Sequence, residues 1–395
     1  VPGLSCEGRA ARRIQFLADT PYGRTPVKYL NAVDYTVMAV YVCCLVGLAL
    51  YLKRLASASL EDYFLGGKKL PWWALGVSGM ASFLDITGTM IIVAFLFMLG
   101  PRGLFIEFRG GAVLILVFMM LWTGKWHRRS NCMTVAEWQI YRFGAGRDGQ
   151  FARIVSAFAA TALPIGGLAY MARGVGPFFS TFIPLSPTVC AIILMSIAAI
   201  YTMVSGFYGV VFTDMFQSLI ILTAVIVIST MAIGRVTDAQ SLATVAEHVT
   251  GNGDWLSAVP HWETPMPAGY EQYELLFLFM FSYLMKNVSL GIGSGGDPKF
   301  FGARNERECG KLTFMWTWLM MFRWPMMMGF AVLGLFLVND MFPDQSVLRE
   351  AEFAIKRQLL ADQSARIPDF DAAAKADAVL KGRVWARDVD RTIAE

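Results

Sequence analysis

The sequence predicts an all-α, polytopic membrane protein with an inverted-repeat transporter architecture. Three observations carry this. Of 395 residues, 56% are hydrophobic and only 16% are charged, against about 25% charged in a soluble domain. Long apolar runs recur along the chain at membrane-crossing length, about 20 residues each. Two of these runs are broken by glycine-rich polar stretches, a pattern that suits a binding site better than a plain span. The mean hydropathy is +0.50.

The runs predict about eight transmembrane segments. The first spans 34–52 and ends at Lys53 and Arg54. A polar linker leads to the second, 71–99, whose middle holds Ser78, Gly79, Ser82, Asp85, Thr87, Gly88 and Thr89. Gly weakens a helix, and Ser, Thr and Asp offer its backbone competing hydrogen bonds. Asp85 also places a carboxylate at mid-membrane, at a cost of about 2.5–3.5 kcal/mol. Unwound backbone survives there only inside protein or beside a wet cavity. Two half-helices with a site at the break are therefore expected. Close packing through small residues is the alternative reading.

Gly100-Pro101-Arg102-Gly103 predicts a turn. Segment three (104–122) carries Glu107 and Arg109 near its start and leads to a basic loop. Glu107 either guides a polar solute or forms a surface salt bridge. Segment four (154–171) contains Pro164, so a kink is expected. Segments five (188–204) and six (209–233) are separated only by Ser205 to Tyr208. Asp214 falls inside segment six, where an acid needs an ion or a partner. A long loop (234–270) precedes segment seven (271–292), which dissolves into the glycine-rich stretch that includes Gly293. Asp297 and Lys299 follow, as a gate or as a solvated pair. Segment eight spans 312–338, and 339–395 is read as a polar connector with a surface helix.

Segments two and seven lie five apart and so cross in opposite directions, each opening a five-helix repeat. The repeats would be 71–233 and, for the second, its first two helices at 271–338. A peripheral first helix with its cytoplasmic linker (34–70) precedes them. Only part of the second repeat is present, so a C-terminally truncated chain is expected. Lys and Arg concentrate in the loops after segments one, three and seven. That bias places those loops in the cytoplasm. The tail 1–33, the loop 234–270 and the connector 339–395 are then extracytoplasmic, although the tail's own arginines argue the other way. A multi-pass protein of the cell membrane is expected, with no nucleic-acid partner.

Catalytic and metal motifs are absent. The six cysteines have no paired spacing, and the three histidines sit in predicted loops. No HExxH or GxSxG element supports an enzyme. Oxygen donors alone suit a hard cation such as sodium.

Four stretches carry a family resemblance. DYFLGGKKLPWWALGVSGMAS enters the first broken helix. TVAEWQIYRFG holds Thr134, Glu137, Arg142 and Phe143 in a T-x-P-E-x(4)-R-F pattern, with Ala136 replacing Pro. YTMVSGFYGVVFTDMFQ matches a pattern ending T-D-x-x-Q, with Ser205 and Gly209 as departures. FFGARNERECGKL forms the basic loop after segment seven. Together they resemble the sodium/solute symporter family, which has the leucine-transporter-type inverted-repeat fold, over about residues 31–340.

The resemblance implies a sodium-coupled symporter working by alternating access. It implies sodium held by the backbone carbonyls of Ala81 and Leu84, with further hydroxyl ligands on a ninth helix. It implies ion involvement of Asp214. Asp85 stands where the family usually has Ser. It could add a sodium ligand, bind a cationic part of the substrate, or pair with a basic residue. Ser82, Asp85, Thr87, Glu107 and Gly293 are the candidate substrate contacts, for a small polar solute such as a sugar, amino acid or carboxylate. A sugar is disfavoured because the stretch after the second break lacks Asn and Gln. The alternative function is a transporter-like sensor module of a signalling protein.

Overall fold

The computed structural model describes residues 30–107, 112–267, 270–293 and 297–342. All the regular structure among them is helical. Calls made on 1–29, on Arg109, on the stretch 294–296 and on the tail beyond 342 fall outside the described residues.

The first helix, α1 (Ala32–Ala56), starts at a capping box in which Asn31 and Asp34 satisfy each other's backbone donors. A short α2 (Leu60–Leu65) follows. The interrupted segment is observed as two helices, α3 (Trp72–Ser82) and α4 (Ile86–Leu99). Phe83, Leu84 and Asp85 lie between them. The two expected half-helices are observed, and close packing through a small residue is seen beside their junction. Gly79 is a packing glycine: a Cβ there would fall 2.4 Å from the Trp316 ring. The break itself comes four residues later.

Segment three starts later than expected, as α5 (Ala112–Phe118). It passes through a π-helical turn (Met119–Thr123) into α6 (Gly124–Ser130). His127, expected in a loop, is instead a buried residue of α6 stacked 4.5 Å from Trp138. After α7 (Val135–Phe143), segment four is α8 (Arg147–Ser180), which continues through Pro164 as one helix. Segments five and six join in α9 (Pro187–Arg235), bent at Gly206. Gly206 is required there. Its φ is +55°, and a Cβ would sit 2.7 Å from the Tyr63 carbonyl oxygen. The bend lets α2 dock, and the Tyr63 hydroxyl donates to Met203 O at 2.9 Å.

The long loop contains a helix the sequence reading left out, α10 (Ala239–Thr250), capped by Asp238. Then come α11 (Leu276–Gly293) and a four-residue α12 (Pro298–Phe301) capped by Asp297. Segment eight is not continuous. It is α13 (Glu306–Met321) and α14 (Arg323–Met341), separated at Phe322. Pro325 explains the interruption, since it has no N–H for the Met321 carbonyl and its ring crowds that turn.

Among the described residues five helical stretches are long and apolar enough to cross a membrane: 32–56, 86–105, 147–180, 187–235 and 306–341. Segment seven is a shorter apolar helix. The largest core cluster joins α3, α9, α12 and α13 through Leu75, Met80, Val211, Phe300, Leu312 and Trp316. This cluster surrounds the break.

The three basic loops meet at one end of the bundle. Arg304 donates to Lys69 O at 2.6 and 2.9 Å, Arg128 donates to Arg304 O at 3.0 Å, and Lys68 donates to Asn131 Oδ1 at 2.6 Å. At the other end, Trp255 donates to Phe97 O at 2.8 Å and Arg102 pairs with Asp254 at 2.9 Å. The chain's basic and mixed loops thus segregate to opposite ends, which is the arrangement the charge bias requires of a membrane protein.

Candidate functional site: an interrupted helix between two buried cations

α3 ends because Ser82, Phe83 and Leu84 stop propagating the helical hydrogen bonds. The Ala81 carbonyl takes a tight-turn bond from Leu84 N at 3.1 Å. Asp85 then restarts the chain as the N-cap of α4: its Oδ1 accepts from Gly88 N, and its carbonyl accepts from Thr89 N at 3.1 Å. An Asp cap satisfies donors that the helix cannot, and its charge faces the positive end of the helix dipole. Part of what made Asp85 costly in a bilayer is thereby explained. The break is capped on both sides.

A polar thread runs down one side of α3. The Ser78 hydroxyl, fully buried, donates to Asp214 Oδ2 at 2.5 Å across to α9. One turn on, Ser82 Oγ donates to Ser78 O at 2.9 Å. Lys299 Nζ then donates to Ser82 Oγ at 3.1 Å, and lies 3.5 Å from both Asp297 carboxylate oxygens. Lys299 is 5% exposed and sits over the Trp316 ring at 5.7 Å. Of the two readings of the Asp297/Lys299 pair, the solvated one does not fit this burial.

On the other side stands Arg323, 3% exposed. Its Nη1 donates to Phe83 O at 3.0 Å, and its Nη2 lies 3.5 Å from Thr89 Oγ1. The guanidinium thus clasps the break from α14. It also borders a cavity of about 210 Å³ with Phe83, Tyr283, Lys286 and Asn287. Asn287 is 3% exposed and its Nδ2 has no hydrogen-bond partner. Lys286 Nζ lies over Tyr283 at 4.6 Å.

The sequence-derived site residues divide accordingly. Ala81, Ser82, Leu84, Asp85 and Asp214 converge on the break or on the thread beside it. Thr87 is buried in the first turn of α4, with its Oγ1 3.4 Å from Met171 O and against Gly174 of α8. Glu107 lies beyond the far end of α4, past the turn Gly100–Phe105. Gly293 is the last residue of α11. Lys286, Asn287 and Arg323 were missed. Arg323 left a readable signal, since an arginine inside an apolar run is a functional flag by default. Asn287 and Lys286 lie in segment seven ahead of its glycine-rich stretch, whereas the family resemblance places amides after it.

Known proteins bear on this arrangement. The family model for the sodium:solute symporter family matches residues 63–340. The chain belongs to this family. Solute carrier family 5 member 4B of Mus musculus is 24% identical over 259 residues, covering 63% of this chain and 37% of that protein. The sodium/sialic acid symporter NanT of Aliivibrio fischeri is 26% identical over 198 residues, covering 50% of this chain and 38% of that protein. The chain therefore spans well under half the length of these relatives. A solved structure of a sodium-coupled sialic acid symporter, in a substrate-bound outward-open state, superposes with a TM-score of 0.63 at 18% identity. It covers 82% of this chain and 66% of that one, and supports the all-helical transporter fold.

Proposed function

We propose that this symporter-family chain forms the sodium- and solute-binding half of a sodium-coupled secondary transporter of the cell membrane. It imports a small polar solute by alternating access and is not an enzyme. The observation that carries this reading is the capped break between α3 and α4, flanked by the buried polar side chains of Ser78, Lys299 and Arg323. The family membership and the Ser78–Asp214 link support sodium as the coupling ion.

Sodium is the transported cation in this reading. The carbonyls of Ala81 and Leu84 and the carboxylate of Asp214 offer it hard oxygen donors. The solute enters beside the break, where Asn287 Nδ2 and Lys286 present donors to its oxygen atoms. An unpaired buried amide is costly unless a ligand satisfies it. This favours a solute rich in acceptors, a sugar acid or carboxylate as readily as a sugar. Ser82, Asp85 and Thr87 line or cap the break, and Glu107 and Gly293 stand farther along the route. The basic loops face the cytoplasm and the N-terminus lies outside. The repeat boundaries at 71–233 and 271–338 follow from that topology.

Uptake by the full-length protein in proteoliposomes tests the reading. Solute accumulation is expected to collapse when the sodium gradient is removed, and Asp214→Asn is expected to raise the sodium concentration for half-maximal uptake about tenfold. Equal uptake with and without sodium would sink it.

A further inference from the structure

We propose that Lys299 is a tethered cation: in the sodium-free protein its ammonium occupies the basic-loop end of the polar thread and blocks it, and sodium at the break displaces it. This rests on the symport reading above and adds to it a residue that sets sodium affinity and prevents leak.

Three features carry the inference. The ammonium is buried, yet its contacts are loose. Two carboxylate distances of 3.5 Å and one hydroxyl at 3.1 Å exceed the 2.7–2.9 Å of a firm charge-assisted bond. A buried ion pair built only for stability requires good geometry to offset its desolvation, and this pair lacks it. Next, Lys299 and Asp214 contact successive turns of one face of α3: Ser82 Oγ accepts from the ammonium and donates to the Ser78 backbone carbonyl, and the Ser78 hydroxyl donates to Asp214. Last, Ser82 stands between Ala81 and Leu84 in the chain, so a second positive charge at those carbonyls would repel the buried ammonium, with screening only partial although Ser82 and Phe83 are themselves exposed.

The two ends of Lys299 behave differently. Its backbone is fixed, because Asp297 Oδ1 caps Lys299 N at 2.8 Å and the following Phe300 and Phe301 are fully buried. Its side chain ends in an ammonium on a flexible stem. The motion required is therefore a side-chain swing about a rigid anchor, with α12 staying in place. Trp316 offers a cation–π face that lowers the cost of burying the charge in the closed position.

The experiment measures sodium binding and solute-free sodium efflux with the full-length protein in proteoliposomes, using radioactive sodium as the probe. Lys299→Met is expected to bind sodium about tenfold more tightly and to leak sodium about tenfold faster without solute. Lys299→Arg, which keeps the charge, is expected to stay within threefold of wild type on both. Asp297→Asn, which loosens the ammonium without removing it, is expected to raise the leak about threefold and decides the matter if Lys299→Met does not fold. Sodium affinity and leak within twofold of wild type in the folded variants would overturn the proposal, since a purely structural lysine changes protein yield and neither of these. Wild-type vesicles without sodium-dependent uptake would remove the symport reading itself, a result distinct from a coupled wild type with silent variants.

Discussion

The two buried cations beside the break, Arg323 and Lys299, have opposite bonding. Arg323 donates to a backbone carbonyl at 3.0 Å with a planar fork that is always charged. Lys299 reaches a hydroxyl and two carboxylate oxygens at 3.1–3.5 Å with a single mobile point charge. One fixes the geometry of the break, and the other can leave it. The difference teaches that burial alone does not separate structure from mechanism. The nature of the acceptor and the length of the bond do.

The contrast can be broken most decisively at Arg323. Arg323→Lys keeps the charge but loses the fork to Phe83 O. A buried hydrogen bond from a charged donor is worth about 1.5–3 kcal/mol, and the Thr89 contact goes with it, so a clear fall in thermal stability in detergent is expected. A melting temperature equal to wild type would show that Arg323 is no clasp, and the comparison would fail. Ser78→Ala tests the other side more gently. It deletes one hydrogen bond to a carboxylate, about 1.5–3 kcal/mol, and is expected to weaken sodium binding by about tenfold while the protein still folds. Unchanged sodium affinity would detach Asp214 from the ion.

The smallest effect is expected at an exposed cation, Arg129, which pairs with Glu306 at 2.7 Å on the surface of the basic-loop end. The guanidinium holds the Glu306 carboxyl below its ordinary range, chiefly by hydrogen bonding. A depressed carboxyl contributes stability above its unfolded pKa and loses it as pH falls through the folded one. Solvent screens this pair, so Arg129→Gln is expected to leave the melting temperature unchanged at pH 7 and pH 4 alike. A clear drop at pH 7 alone would show that surface pairs here matter as the buried ones do.

The sequence by itself determined the class, the all-helical character and the place of the first break. Composition and apolar run length dictate a bilayer solvent, and Ser82 to Asp85 cannot sustain a helix there without partners. It also pointed to Asp214 and to the charge segregation that organises the loops. Tertiary structure decided what each polar residue is for. Asp85 reads as a costly intramembrane acid, but its Oδ1 caps α4, because a helix restarting at that point leaves its own donors unmet. Lys299 reads as a loop residue, but folding α12 beneath α3 buries its ammonium against Ser82. Arg323 sits in a run that reads as a plain span, and it reaches across some 240 positions of chain to Phe83. Local pattern encodes helices and their ends. Which buried donor meets which acceptor depends on contacts between distant segments, and no periodicity records them.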